Sequence, residues 1–216
     1  EREIRNFRKI SHPLICRYYG TIQDKRSDSV SIVMEYVVGQ ELSEAKHLTE
    51  KMKISIIIEL LYTFKYLHLN KFVYRDLKPN NVILDRNNHI VLIDFDMIEY
   101  DDREGSHQRL EDEYTRDYNE YFSDPSIGDK NWIPTPESDI YSIGKMIYFI
   151  FTNKIPIQIV DEEFRNHHPE MNSLYLGCIS KPNPKMKTCL DIIDFINKQP
   201  KYKQEQPLIE KIDRII

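Results

Sequence analysis

Along residues 2–10, REIRNFRKI, the apolar positions Ile4, Phe7 and Ile10 recur at helical spacing, and the pattern stops where Pro13 disfavours further helix. This predicts an amphipathic helix. The next apolar runs, LICRYYGTIQ and SVSIVMEYV, are rich in β-branched and aromatic residues and flank the polar turn DKRSD, which predicts an antiparallel strand pair. The segment GQELSE then resets the chain. From Thr49 to Leu69 the set Ile54, Ile57, Ile58, Leu61, Phe64 and Leu67 keeps helical period for about six turns, with Thr49 as N-cap. Two short strand-like runs follow, NVILD and HIVLID, joined by the hairpin turn RNN. Between Asp94 and Asp124 the chain is polar, acidic and without sustained periodicity, as in a disordered segment or a functional loop. Beyond it, SDIYSIGKMIYFIFTNKIP is apolar nearly all round and predicts a helix in the middle of the core. The remainder alternates helical runs with Pro-containing breaks, and no internal repeat or low-complexity tract is found.

With 216 residues, 40% of them hydrophobic, the chain can bury a core as one large domain or two small lobes. A formal net charge of -5 leaves no basic footprint for nucleic acid or an anionic membrane surface. The longest apolar stretch, IYSIGKMIYFIF, is too short for a bilayer span and is broken by Lys145, so no membrane insertion is expected. The opening EREIRNFRKI is too charged for a signal peptide. Cys16, Cys178 and Cys189 are odd in number and far apart, which suggests neither a disulfide framework nor a metal cluster and points to a reducing, cytoplasmic setting. The absence of Met at position 1 and the opening in mid-helix suggest that something upstream has been cut away.

Candidate chemistry concentrates in YRDLKPNNVILD, residues 74–85, which crowds charges immediately before a core strand. Moving a γ-phosphoryl group requires a carboxylate to accept the proton of the attacking hydroxyl, a cation on the transferring oxygens, and Mg²⁺ ligands for the charge on ATP. Asp76, Lys78 and Asn81 lie on one short loop, and the predicted hairpin returns Asp94 to it.

The order and spacing of these residues resemble the protein-kinase catalytic loop H-R-D-L-K-P-x-N followed by D-F-G, with Tyr74 for His and Asp96 for Gly. The resemblance covers nearly the whole chain and implies an α+β, protein-kinase-like two-lobe fold. Residues 1–37 would be the remnant of an N-lobe that begins at the family's helix αC, and residues 38–216 a mainly helical C-lobe. It implies Asp76 as catalytic base, Lys78 as the phosphate-contacting cation, and Asn81 and Asp94 as Mg²⁺ ligands, with Mg-ATP as phosphoryl donor. Lys two residues after the Asp is similar to serine/threonine kinases, which makes a Ser or Thr hydroxyl of a protein substrate the acceptor. Glu3 sits where the family's ion-pairing Glu does. VMEYVVGQEL looks like the hinge: Met34 as gatekeeper, Glu35 and Val37 offering backbone groups to adenine, Glu41 near the ribose, and Ile83 under the adenine ring. Phe7, Tyr18, Tyr74 and Phe95 would form the family's stacked spine, and SDIYSIG resembles the start of the buried helix αF, with Asp139 bracing the catalytic loop.

Departures from the family pattern bear on activity. The Gly-rich loop and the β3 Lys are missing, so catalysis by this stretch in isolation is not expected. Asp96 replaces a Gly that gives the metal loop its freedom, and it adds a carboxylate near the metal. The family's A-P-E is matched by eye by TPE at Thr135 to Glu137, which lies too close to Asp139. DPS, Asp124 to Ser126, has the better spacing but lacks the Glu, and the Arg that pairs with it reads Lys187 in NPKMK. Asn119 falls where a family Thr is expected. The acidic stretch is either a solvated face or a stand-in for an activation-loop phosphate, with Glu111, Asp112 and Glu113 pairing with Arg75. The competing reading is a pseudokinase, a nucleotide-binding or scaffolding domain without transfer. A small-molecule phosphotransferase shares the Asp and Asn, but Lys78-Pro79 and SDIYSIG argue against it.

Overall fold

Helix α2, Glu50–Leu69, carries the strongest periodic signal in the chain, and its start is set by Thr49, whose Oγ1 accepts from the Met52 amide at 3.2 Å. In this computed structural model, which describes residues 2–24, 29–100, 119–128, 135–157, 160–181 and 184–205, α2 forms the centre of a mainly helical body. Against it pack α3 (Pro136–Thr152) and α6 (Cys189–Lys198), and α5 (Pro169–Ile179) packs on the far side of α3. Ile54, Ile57, Leu61 and Phe64 of α2 and Ile140, Ile143 and Ile147 of α3 are buried in one continuous core. Pro136 stands in the first turn of α3, where a missing N–H costs nothing, and Asn153 ends the helix in the left-handed conformation. Lys145 is buried in α3 because its ammonium donates to the Pro156 carbonyl at 3.0 Å. A short helix α4, Glu162–His167, is capped by Asp161, and α6 begins with a capping box between Thr188 and Asp191.

The strands form three small sheets. Helix α1 (Arg2–Phe7) precedes the antiparallel pair β1 (Tyr18–Asp24) and β2 (Ser29–Met34). Strand β3 (Gly39–Glu41) joins the predicted hairpin β5 (Val82–Asp85) and β6 (Ile90–Leu92) in the order β3-β5-β6. Strand β4 (Phe72–Val73) pairs with β7 (Glu99–Tyr100). The hairpin turn is closed by Asp85, whose Oδ1 accepts from the amides of Asn87 and His89, while Asn88 takes a positive φ of 64°. The fold therefore combines helix and sheet as expected. Among the described residues no helix is long and apolar enough to cross a membrane.

Strand β3 was hidden in GQELSE because only pairing across the fold makes it. Gly39 lies so close to β5 that an added Cβ would stand 2.1 Å from the Leu84 carbonyl oxygen, so the backbones approach only with Gly there. Gly39→Ala is expected to force β3 off β5 and to lower the melting temperature by several degrees, a loss of about 1–3 kcal/mol.

Glu59 of α2 is 1% exposed and ties the helix to the hairpin, accepting from the Ile90 amide at 2.8 Å and lying 2.7 Å from His89 Nδ1. His12 is buried against Tyr66 and accepts from the Leu14 amide through Nδ1, while Nε2 has no hydrogen-bond partner among the described residues. Burial lowers its pKa to about 4 from the ordinary 6.5. The unfolded chain therefore binds this proton first as pH falls. Stability contributed by neutral His12 is present above the ordinary pKa and is lost between pH 6.5 and about 4, with a slope of up to ~1.4 kcal/mol per pH unit. Urea midpoints compared at neutral pH and about pH 4.5 should fall further for the natural chain than for His12→Asn.

Candidate active site

The stretch after β4 is positioned by a single carboxylate on α3. Asp139, fully buried, accepts from the amides of Tyr74 through Oδ2 and Arg75 through Oδ1, both at 2.9 Å, and its Oδ2 lies 2.9 Å from His68 Nε2. Arg75 is held at a φ of 76°, a left-handed conformation uncommon for a long side chain. Its guanidinium meets Glu99 Oε2 at 3.0 Å, with both side chains largely buried. Since β4 pairs with β7, Glu99 lies directly across from Val73.

This anchoring presents Asp76. Its Oδ2 accepts from Lys78 Nζ at 2.6 Å and from Asn81 Nδ2 at 2.8 Å, and Asn81 Nδ2 also donates to the Asp76 carbonyl at 2.9 Å. The turn Pro79–Asn81 that carries Asn81 opens β5, and the Asn81 carbonyl accepts from the Ile93 amide at 3.0 Å. Asp94 follows directly, itself at a φ of 62°. The carboxylates of Asp76, Asp94 and Asp96 offer oxygens that all lie within 4.8 Å of one another. Three hard oxygen donors at that separation fit a divalent cation such as Mg²⁺. The Nδ2 of Asn81 is committed to Asp76, so Oδ1 is the atom that remains for a cation.

Aromatic rings join this centre to the rest of the fold. Phe95 stacks on Phe7 of α1 at 4.7 Å and meets Tyr74 edge-on at 5.3 Å, while Tyr18 of β1 meets Phe7 at 5.6 Å. The four rings expected to form one column are in contact in series, with Phe7 and Phe95 stacked and the other two contacts edge-on. The Tyr74 hydroxyl donates to the Ile93 carbonyl, and its pKa is held well above the ordinary range by burial and then by the charges of Asp76 and Asp94.

Of the remaining sequence-derived positions, Glu41 on β3 stands opposite Ile83 on β5, and its Oε2 accepts from Asn80 Nδ2 and Ser43 Oγ, both at 2.8 Å. Met34 ends β2 opposite Tyr18. The Glu35 amide donates to the Arg17 carbonyl at 2.8 Å, and its Oε2 accepts from the Arg17 amide at 3.1 Å. Val37 is half-buried against the core, and Glu3 lies on α1, one turn before Phe7.

The profile of the protein kinase domain family matches residues 1–207. The chain belongs to the protein kinase domain family. It is similar to cAMP-dependent protein kinase type 3 of Saccharomyces cerevisiae, 38% identical over 95 residues that make up 42% of this chain and 23% of that protein. It is also similar to serine/threonine-protein kinase ppk25 of Schizosaccharomyces pombe, at 32% over 167 residues, 74% of this chain and 37% of that protein. Serine/threonine-protein kinase RUNKEL of Arabidopsis thaliana is 27% identical over 164 residues, 72% of this chain and 11% of that protein. The chain thus spans between about a tenth and two fifths of the length of these curated relatives.

Three features of this kinase domain refine what its sequence suggested. The left-handed residue of the Asp-Phe-Asp segment is Asp94, not Asp96, so the Asp in place of Gly carries no such strain; the Asp96 amide lies 3.4 Å from Asp94 Oδ1. Arg75 pairs with Glu99, and the expected pairing with Glu111, Asp112 and Glu113 falls on residues outside the described ones. Finally, DPS contributes its first residue to an ion pair. Asp124, 1% exposed, meets Lys181 Nζ at 2.6 Å, and Lys187 is engaged through its amide with Asp191. His68, Glu59, Glu99 and Lys181 escaped sequence reasoning because each acts across long separations. The only local hint was that a Glu in the apolar run of α2 needs a partner.

Proposed function

We propose that the protein transfers the γ-phosphoryl group of Mg-ATP to Ser or Thr hydroxyls of protein substrates. The observation that carries this reading is Asp76, its carboxylate held by Lys78 and Asn81 and facing Asp94 and Asp96. Residues 1–37 and 38–216 then act as two lobes about the nucleotide. In this reading Met34, Glu35 and Val37 border the adenine, with Ile83 beneath it and Glu41 near the ribose. Glu3 belongs to the helix that closes the phosphate side.

Asp76 accepts a hydrogen bond from the substrate hydroxyl and takes its proton as the oxygen attacks the γ-phosphorus and the bond to the β,γ-bridging oxygen breaks, releasing ADP. Lys78, 2.6 Å from Asp76 in this structure, moves to the transferring oxygens and stabilises the charge that develops there. Asn81 and Asp94 would hold Mg²⁺, with Asp96 within reach. When bound, the cation neutralises phosphate charge. Asn81 Nδ2 keeps the Asp76 carboxylate oriented while this happens.

The test is incubation of the full-length protein with Mg-ATP labelled at the γ position and a generic protein acceptor. The reading expects label in phosphoserine or phosphothreonine. Bound ATP with no label transferred would favour the alternative, a nucleotide-binding scaffold.

A further inference from the structure

A cavity of about 340 Å³ opens between the loop that follows β3 and the C-terminal end of α3. Leu42, Leu48 and Phe151 supply apolar walls, and Lys46, His47 and Lys53 also line it. Among the described residues no Asp or Glu lines this cavity, although the chain as a whole carries a net charge of -5. The neighbouring carboxylate of Glu50 is turned to another cation, lying 2.5 Å from Lys201 Nζ. Lys53 donates one hydrogen bond to the Phe151 carbonyl at 3.1 Å, which points its ammonium at the cavity wall and leaves two protons for a ligand.

The cavity is joined to the proposed transfer centre by a short path. Asn80, four residues past Asp76, donates to Glu41 and Ser43, and Leu42 between them is the first cavity residue. Asp76 to Asn80 and Glu41 to Lys46 make nine steps of chain, about 30 Å if fully extended, bridged by the Asn80–Glu41 hydrogen bond, a span on the order of ten residues of an extended peptide.

Resting on the reading of Asp76 as the transfer centre, we propose that this cavity docks an acidic, partly apolar segment of the protein substrate, within about ten residues of the acceptor hydroxyl. Carboxylates of the segment pair with Lys46 and His47, and an apolar neighbour fills the space between Leu42, Leu48 and Phe151. The enzyme is then acid-directed.

The experiment uses a fluorescent peptide carrying Ser, an acidic cluster and a Leu, beside its Asn/Gln isostere. Binding to the full-length protein is read by anisotropy, and phosphate transfer is read separately. The natural protein should bind the acidic peptide roughly tenfold tighter than the isostere at low salt, with the difference shrinking as salt rises. A double variant, Lys46→Glu with His47→Asn, should lose that preference while keeping its melting temperature. Asn is chosen because His47 has a φ of 60°, which Asn tolerates. Equal binding of the two peptides, a preference that survives in the double variant, or complete displacement by inorganic phosphate at matched ionic strength would each overturn the proposal. Preferential binding without transfer would leave the docking site standing and count against transfer. Transfer without preference would do the reverse.

Discussion

Replacing Asp139 by Ala should lower the stability of the domain by about 3–5 kcal/mol, or roughly 10 °C in melting temperature, and abolish any activity that depends on Asp76. Asp139 is fully buried and satisfies the amides of Tyr74 and Arg75, two donors with no access to water. Its removal leaves both unpaired in the core, which is the most expensive way to lose a hydrogen bond. It also frees Arg75 from the left-handed conformation that the bond to Oδ1 enforces, and the chain direction into Asp76 changes with it. Asp139→Asn retains one acceptor oxygen but turns an NH₂ toward the other amide, so it should fall between the two. Thermal unfolding of the three proteins decides the matter. Equal melting temperatures for the natural chain and the Ala variant would show that the loop is held by something else.

The second large effect is expected at Phe95. Phe95→Ala removes the ring through which Phe7 of α1 and Tyr74 communicate, and all three side chains are at most 1% exposed. Loss of buried area plus the residual cavity should cost about 3–5 kcal/mol, whereas Phe95→Leu should cost markedly less. Because Phe95 adjoins Asp94 and Asp96, the same change should weaken stabilisation by Mg-ATP beyond what the lowered baseline explains. The comparison is the rise in melting temperature on adding Mg-ATP to each protein. An unchanged rise in Phe95→Ala would separate the ring stack from the cation site.

How much of this could be read beforehand depended on the range of the interaction. Helix α2 was legible to its cap because Thr49, the apolar period and the i, i+4 bonds are all local. The β5-β6 hairpin was equally legible, since Asp85 and Asn88 supply the turn within the turn itself. Asp76, Lys78 and Asn81 came together as expected because one short loop carries all three. Strand β3 was missed because its three residues are a strand only against Leu84 and its neighbours, more than forty positions away. The pairs Arg75 with Glu99 and Asp124 with Lys181 were missed for the same reason: each joins residues more than twenty positions apart, which no local pattern connects. The family motifs located the centre; the ties that hold it were visible only in three dimensions.

The most direct test of the account is single-turnover transfer from Mg-ATP by the full-length protein beside Asp76→Asn. The variant keeps size and hydrogen-bonding shape but cannot take the proton. The account predicts a fall of about 10²–10⁴-fold in rate, with ATP affinity and melting temperature little changed. Equal rates in the two proteins would contradict it, because Asp76 would then have no part in the transfer.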